Sequence, residues 1–165
     1  MNVFQQDLVY SYEANSDKSI NNAYFKAFPH LVRIEVVESL PLQMRGIDKI
    51  LHFSEGNSVN VDEKKRRKDY GDILLEEYSN WQTKRVGWLG KTKYTDYITY
   101  VIEPTKQIYF FPFLLLQRIW LDNYHDWIAK YGRKFAKNDG YVTSNVAIPK
   151  SILLNELQAA FSLSL

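Results

Sequence analysis

The stretch IDKILHFSEGNSVNVDEKK, residues 47 to 65, constrains the fold more than any other part of the chain. Two segments of alternating character, 47 to 53 and 58 to 65, flank SEGN, and that pattern predicts a β-hairpin. Side chains alternate faces along a strand. Ile47, Leu51 and Phe53 therefore share one face of the first strand, and Asp48, Ile50 and His52 share the other. In the second strand Val59, Val61 and Glu63 lie opposite in sense to Asn60, Asp62 and Lys64. Aligning the apolar faces sets Phe53 opposite Val59, Leu51 opposite Val61, and Lys49 opposite Glu63, the last a complementary ion pair. This register needs an odd loop. Glu55-Gly56-Asn57 supplies one, with residues suited to a left-handed conformation.

The register gathers charge: Asp48 faces Lys64, with Asp62 beside it on the same face. A two-residue loop would instead group Asp48 with Glu63 and Lys65, but it would turn Val59 and Val61 outward. Two neighbouring carboxylates are hard oxygen ligands of the kind Mg²⁺ takes, with waters and phosphate oxygens completing the shell. Such an ion polarises a phosphoryl group and helps generate hydroxide. A lysine beside it orients the water or neutralises charge developing on phosphate.

Residues 46 to 79 resemble the core of the PD-(D/E)XK, or restriction-endonuclease-like, nuclease superfamily. Its pattern is an acid on one strand and (D/E)-X-K on the next, after a helix. GIDK supplies Asp48, and VDEKK supplies Asp62-Glu63-Lys64. RKDYGDILLEEY at 67 to 78, GW at 87–88 and TDYITYV at 95 to 101 also look like small phage or prophage members of that superfamily. The resemblance covers about the first 110 residues. It implies an α/β (α+β) fold, a mixed central sheet flanked by helices in one domain over 1–165, with additions from 111 onward. It also implies a Mg²⁺- or Mn²⁺-dependent nuclease acting on DNA. Asp48, Asp62 and Lys64 would be catalytic. Asp48, Asp62 and the backbone carbonyl of Glu63 would hold the metal. Glu13 from the first helix, or Glu76 if its strand pairs beside the second, would be an additional acid. Ile47 stands where the family often has proline. Glu63 stands where it usually has an apolar residue, so the alternative frame Glu63-Lys64-Lys65 stays open.

The rest of the chain reads as mixed α and β around one sheet. One or two amphipathic helices are expected over 3 to 28, ending near Pro29, and a short strand over 31 to 38. Further strands are expected at 72 to 78, 95 to 102, 107 to 111 and 141 to 148. Helices are expected from Pro112 to about Tyr131, stopped by Gly132, and from 150 to 161. The N-terminal stretch MNVFQQDLVYSYE lacks a leader pattern, and the apolar run 108 to 116 is about half the ~20 residues of a membrane span. With no Cys, thiolate metal sites and disulfides are excluded, and a cytoplasmic setting is expected.

Net charge is only +2, so any nucleic-acid contact must come from local clusters. Lys65, Arg66 and Arg67 form one. Lys84, Arg85 and Lys91 form another, interleaved with Trp81 and Trp88, whose rings either stack on bases, with Trp88 the candidate contact, or anchor the core under a loop. Lys130, Arg133, Lys134 and Lys137 form a third, near a helix end where cations are favourable anyway. His30, His52 and His125 have no metal-ligand spacing. The competing reading is a catalytically weak or dead nuclease fold that binds nucleic acid or protein. The superfamily resemblance leaves a homodimer open, and the aromatic stretch 108 to 127 suits an interface as easily as a core.

Overall fold

The structure, a computed structural model, describes residues 18–91 and 94–160. In chain order the elements are α1 (Lys18–Ala27), β1 (Leu31–Val36), α2 (Leu40–Met44), β2 (Lys49–Phe53), β3 (Ser58–Arg66), β4 (Asp72–Asn80) and β5 (Arg85–Val86). They continue as β6 (Tyr97–Ile102), β7 (Gln107–Pro112), α3 (Phe113–Tyr131), β8 (Lys134–Asn138), β9 (Tyr141–Pro149) and α4 (Lys150–Ala160). The class is α+β, as expected. The strands, however, form two sheets in two compact units, not one central sheet.

The first unit holds a five-stranded sheet in the order β1-β2-β3-β6-β7. Every pair is antiparallel except β3 with β6, which run parallel. In α1, Ile20 and Tyr24 sit one turn apart and are the buried stripe of the helix. They pack with Leu31, Leu51, Val61 and Val101 from the sheet, and Phe28, Phe53 and Phe110 close around them. These sheet residues belong to the apolar face that the alternation in 47 to 65 marks out.

The β2–β3 register differs from the expected one by two residues. Leu51 pairs with Val59 and Lys49 with Val61. The loop does have three residues, but they are Ser54, Glu55 and Gly56, because the Phe53 N–H donates to the Asn57 carbonyl at 3.0 Å. The left-handed residue belongs at the end of such a loop, and Gly56, at φ 86°, takes that place. Moving the loop back by one residue moves the pairing by two, so every side chain keeps its predicted face.

The second unit holds an antiparallel sheet in the order β5-β4-β9-β8. Its core includes Ile73 and Leu75 of β4, Val146 and Ile148 of β9, and Leu153 and Leu157 of α4. β4, whose place beside β3 the sequence left open, is a partner of β9. Both edges of β3 are taken, by β2 and β6, while the inward residues of β4 match those of β9. Sequence-adjacent strands usually pair, and here a distant partner wins. Among the described residues no helix is long and apolar enough to cross a membrane.

Candidate active site

Asp48 stands one residue ahead of β2, held from both sides by its backbone. Its N–H donates to the Val61 carbonyl at 2.8 Å, and its carbonyl accepts from the Val37 N–H at 2.9 Å. The short α2 and Gly46, at φ 81°, turn the chain into this position. Its carboxylate Oδ2 accepts the Glu63 N–H at 2.8 Å. With the two-residue register change, Asp48 stands across from Asp62 instead of Lys64. The Asp62 carboxyl adjoins that of Asp48, and Lys64 Nζ pairs with Asp62 Oδ1. Asp48, Asp62 and Lys64 thus come together on one face of β2 and β3.

Burial, and then the charge of Asp62, push the Asp48 carboxyl up to about 6. Lys64 and the Glu63 N–H act against that rise without cancelling it. Asp62 is 1% exposed, so its charge rests on Lys64 and on what its neighbour carries. Two adjoining carboxyls repel once both ionise, and a bound cation relieves that repulsion.

Glu63 does not join them. Its carboxylate lies on the opposite face of β3, where Lys49 Nζ is 2.7 Å away and the Tyr24 hydroxyl donates to it at 2.7 Å. Asn21 Oδ1 accepts from Lys49 at 2.9 Å. Burial, and then the Glu63 charge, raise the Tyr24 hydroxyl well above the usual phenol range, so it stays a donor. The Glu63 side chain is therefore no ligand, and only its backbone lies beside Asp48. The same packing separates the two frames of the motif. Lys65, with a side chain 8% exposed, turns toward Glu63 Oε2 at 3.6 Å. It is thus not a surface contact for nucleic acid, and Asp62 with Lys64 is the frame that faces Asp48.

Glu13 lies outside the described residues. Glu76 sits in β4 of the other sheet and accepts the Trp88 N–H at 3.1 Å, so the strand pairing on which its role as an additional acid depended is not formed. Trp88 is buried, 8% exposed, and anchors the second unit; it offers no ring to a base. Gly87 explains this. A Cβ there would fall 2.2 Å from the Glu76 carbonyl oxygen, so the backbone approaches β4 closely and draws Trp88 inward. Arg67, Lys84 and Arg85 are exposed, while Arg66 and Lys91 are half-buried. His52 Nε2 lies 2.9 Å from Glu35 Oε2 and 2.8 Å from Arg33, a surface cluster on β1 and β2.

Sequence reasoning missed Tyr24 and Asn21 as partners of the Lys49–Glu63 pair. The signal available was a helix stripe, Ile20 and Tyr24, facing a strand face that carried an unexplained charge pair. Among the described residues no group of three or more His, Asp or Glu side chains is placed to hold a metal ion. No protein-family model, curated protein or solved structure matches the chain.

Proposed function

We propose that the chain is a metal-dependent nuclease that hydrolyses phosphodiester bonds, with DNA as the expected substrate. The observation that carries this reading is the meeting of Asp48, Asp62 and Lys64 on one face of β2 and β3. The donor chemistry fits Mg²⁺ or Mn²⁺, since Mg²⁺ commonly takes one or two carboxylates and leaves its other positions to water and phosphate. Asp48 and Asp62 would hold the ion. When bound, it would supply Lewis acidity toward the phosphoryl group and lower the pKa of its water. The backbone hydrogen bonds of Asp48 and the Glu63 N–H on its carboxylate hold that group in one place, which supports this reading. Lys64, 30% exposed at its side chain, is the cation that would meet charge developing on phosphate.

The competing reading, a nuclease-like fold that only binds nucleic acid, draws on the absence of a third acid among the described residues. One experiment separates them. Mn²⁺ is titrated calorimetrically into the wild type and Asp62→Asn at low salt, with a short DNA duplex present, and cleavage of plasmid and linear DNA is followed in parallel. Saturable metal binding and cleavage, both lost in Asp62→Asn and cleavage lost in Lys64→Ala, are expected. DNA binding with neither metal uptake nor cleavage would overturn the nuclease reading in favour of the binding module.

A further inference from the structure

The second unit carries an aromatic row set among cations. Tyr78 of β4, Trp81 just beyond it and Phe135 of β8 pack edge to face in sequence, at interplanar angles of 66° and 68°. Their ring centroids are 5.7 Å apart for Tyr78–Trp81 and 5.1 Å apart for Trp81–Phe135. The pairing explains the row: Tyr78 and Phe135 both stand opposite Ser144 of β9, from either side, and so share a face. Phe135 is 53% exposed, and the whole of β8 is exposed.

Three cations surround the row, and the acid beside them, Glu77, is paired. Lys84, in a left-handed backbone conformation at φ 54°, lies over the rings of Trp81 and Tyr78. The Arg133 guanidinium lies 5.4 Å from the Trp81 centroid. Lys137 shares the face of Phe135 by alternation. Glu77, the acid beneath, is neutralised: Arg133 donates to it twice, at 2.7 and 2.8 Å, and the Ser144 hydroxyl donates at 2.9 Å. Burial works against the Glu77 charge, but Arg133 and Ser144 outweigh it and hold the carboxyl below its usual range. Residues 78–91 contain three cations and no acid, and residues 127–138 contain four cations and no acid.

We infer that this face of the second unit binds single-stranded nucleic acid, with bases stacking on Phe135 and Trp81 and phosphates meeting Lys84 and Lys137. Flat rings at the surface select for exposed base faces, and the surrounding cations select for a polyanion. A duplex keeps its base faces covered, whereas a single strand offers one planar face with every phosphate. Lys84 is exposed, so it can leave Trp81 for a phosphate while a base takes its place over the ring. The inference stands apart from the nuclease reading, because none of these residues belongs to the carboxylate pair.

The test is fluorescence anisotropy of the full-length chain in EDTA with labelled twelve-nucleotide oligo-dT and oligo-U. A duplex of equal length and inorganic polyphosphate serve as competitors, and Asp48→Asn is run in parallel. Single strands should bind more tightly than either competitor, equally in the wild type and Asp48→Asn. Phe135→Ala and Phe135→Leu should each raise the Kd about five- to a hundredfold. Lys137→Ala should lower the salt slope by roughly 0.7. Phe135→Leu keeps apolar packing while removing the planar ring, and thermal melts of both variants check folding. The preference between dT and U identifies the natural strand. No binding, Phe135 variants that bind like the wild type, or a duplex or polyphosphate that competes on equal terms would each overturn the inference. Loss of metal-dependent cleavage alone would leave it standing.

Discussion

Asp48→Asn should make the metal-free protein more stable at neutral pH. In the folded chain burial and the Asp62 charge lift the Asp48 carboxyl from 3.8 to about 6, whereas an unfolded chain titrates near 3.9. From roughly pH 4 to 6 the folded chain keeps a proton that the unfolded chain has lost, so stability falls as pH rises through that window. The gap of about two units amounts to about 3 kcal/mol above pH 6. Asparagine removes the charge but keeps an oxygen to accept the Glu63 N–H, and its amide can donate to Asp62. The variant should therefore gain up to about 3 kcal/mol at pH 8, or roughly 6–12 °C in Tm for a chain of this size. The gain should vanish by about pH 4. Thermal denaturation in EDTA from pH 4 to 8 measures it. Magnesium should raise the Tm of the wild type at pH 8 and leave the variant unmoved, since the ion relieves the repulsion that the substitution has removed. A variant no more stable than the wild type at pH 8, or one with the same excess at every pH, would refute the reasoning.

Glu63→Ala should cost about 3–5 kcal/mol in urea denaturation, because it strands the fully buried Lys49 charge. Glu63→Gln should lose less, since it still accepts from Tyr24 and Lys49; equal losses would show that packing, not charge, holds this face. Tyr24→Phe removes the 2.7 Å hydrogen bond to Glu63 and should cost about 1.5–3 kcal/mol by the same measurement. Gly87→Ala puts a methyl 2.2 Å from a backbone oxygen, so it should destabilise by about 1–3 kcal/mol or more. Hydrogen exchange should show that loss in β4 and β5, and unchanged protection there would sink the close-approach argument.

The parts of the fold that were legible are those whose burial writes a local period into the sequence. The 47–65 hairpin, the β6–β7 hairpin, α3 ending at Gly132, β9 and α4 all follow from alternation, helical spacing or a turn residue. β8 was not legible. Its sequence, KFAKN, is exposed at every position, so no alternation marks it, and only its pairing with β9 makes it a strand. The partner of β4 was hidden for a different reason. Its apolar residues fit any buried sheet, and nothing local distinguishes a neighbour from a strand some seventy residues later. Among the tryptophans, composition could not say which is inside. Trp88 is drawn in behind Gly87, while Trp81, beyond the end of β4, stays half-exposed. The candidate site was legible because parity survives a register error of two, although it would not have survived an error of one.

That tolerance says why β3 carries so much charge. Its alternate residues serve two faces: Asp62 and Lys64 on one, Glu63 and Lys65 on the other. A slip by one residue would exchange them, taking Glu63 from Lys49 and Tyr24 and setting Asp62 against the α1 face in its place. Buried ion pairs are weak sources of net stability, but breaking one is expensive, so the Lys49–Glu63 pair penalises the slipped register far more than it rewards the native one. Asp48 connects the two faces, because its carboxylate accepts the N–H of the same Glu63 whose side chain is fixed behind the sheet. The buried pair therefore holds the register on which the opposite carboxylates depend. Replacing Lys49 and Glu63 together by Leu should keep much of the stability while loosening the register. In that double variant the pH dependence attributed to Asp48 should weaken even where the Tm does not fall.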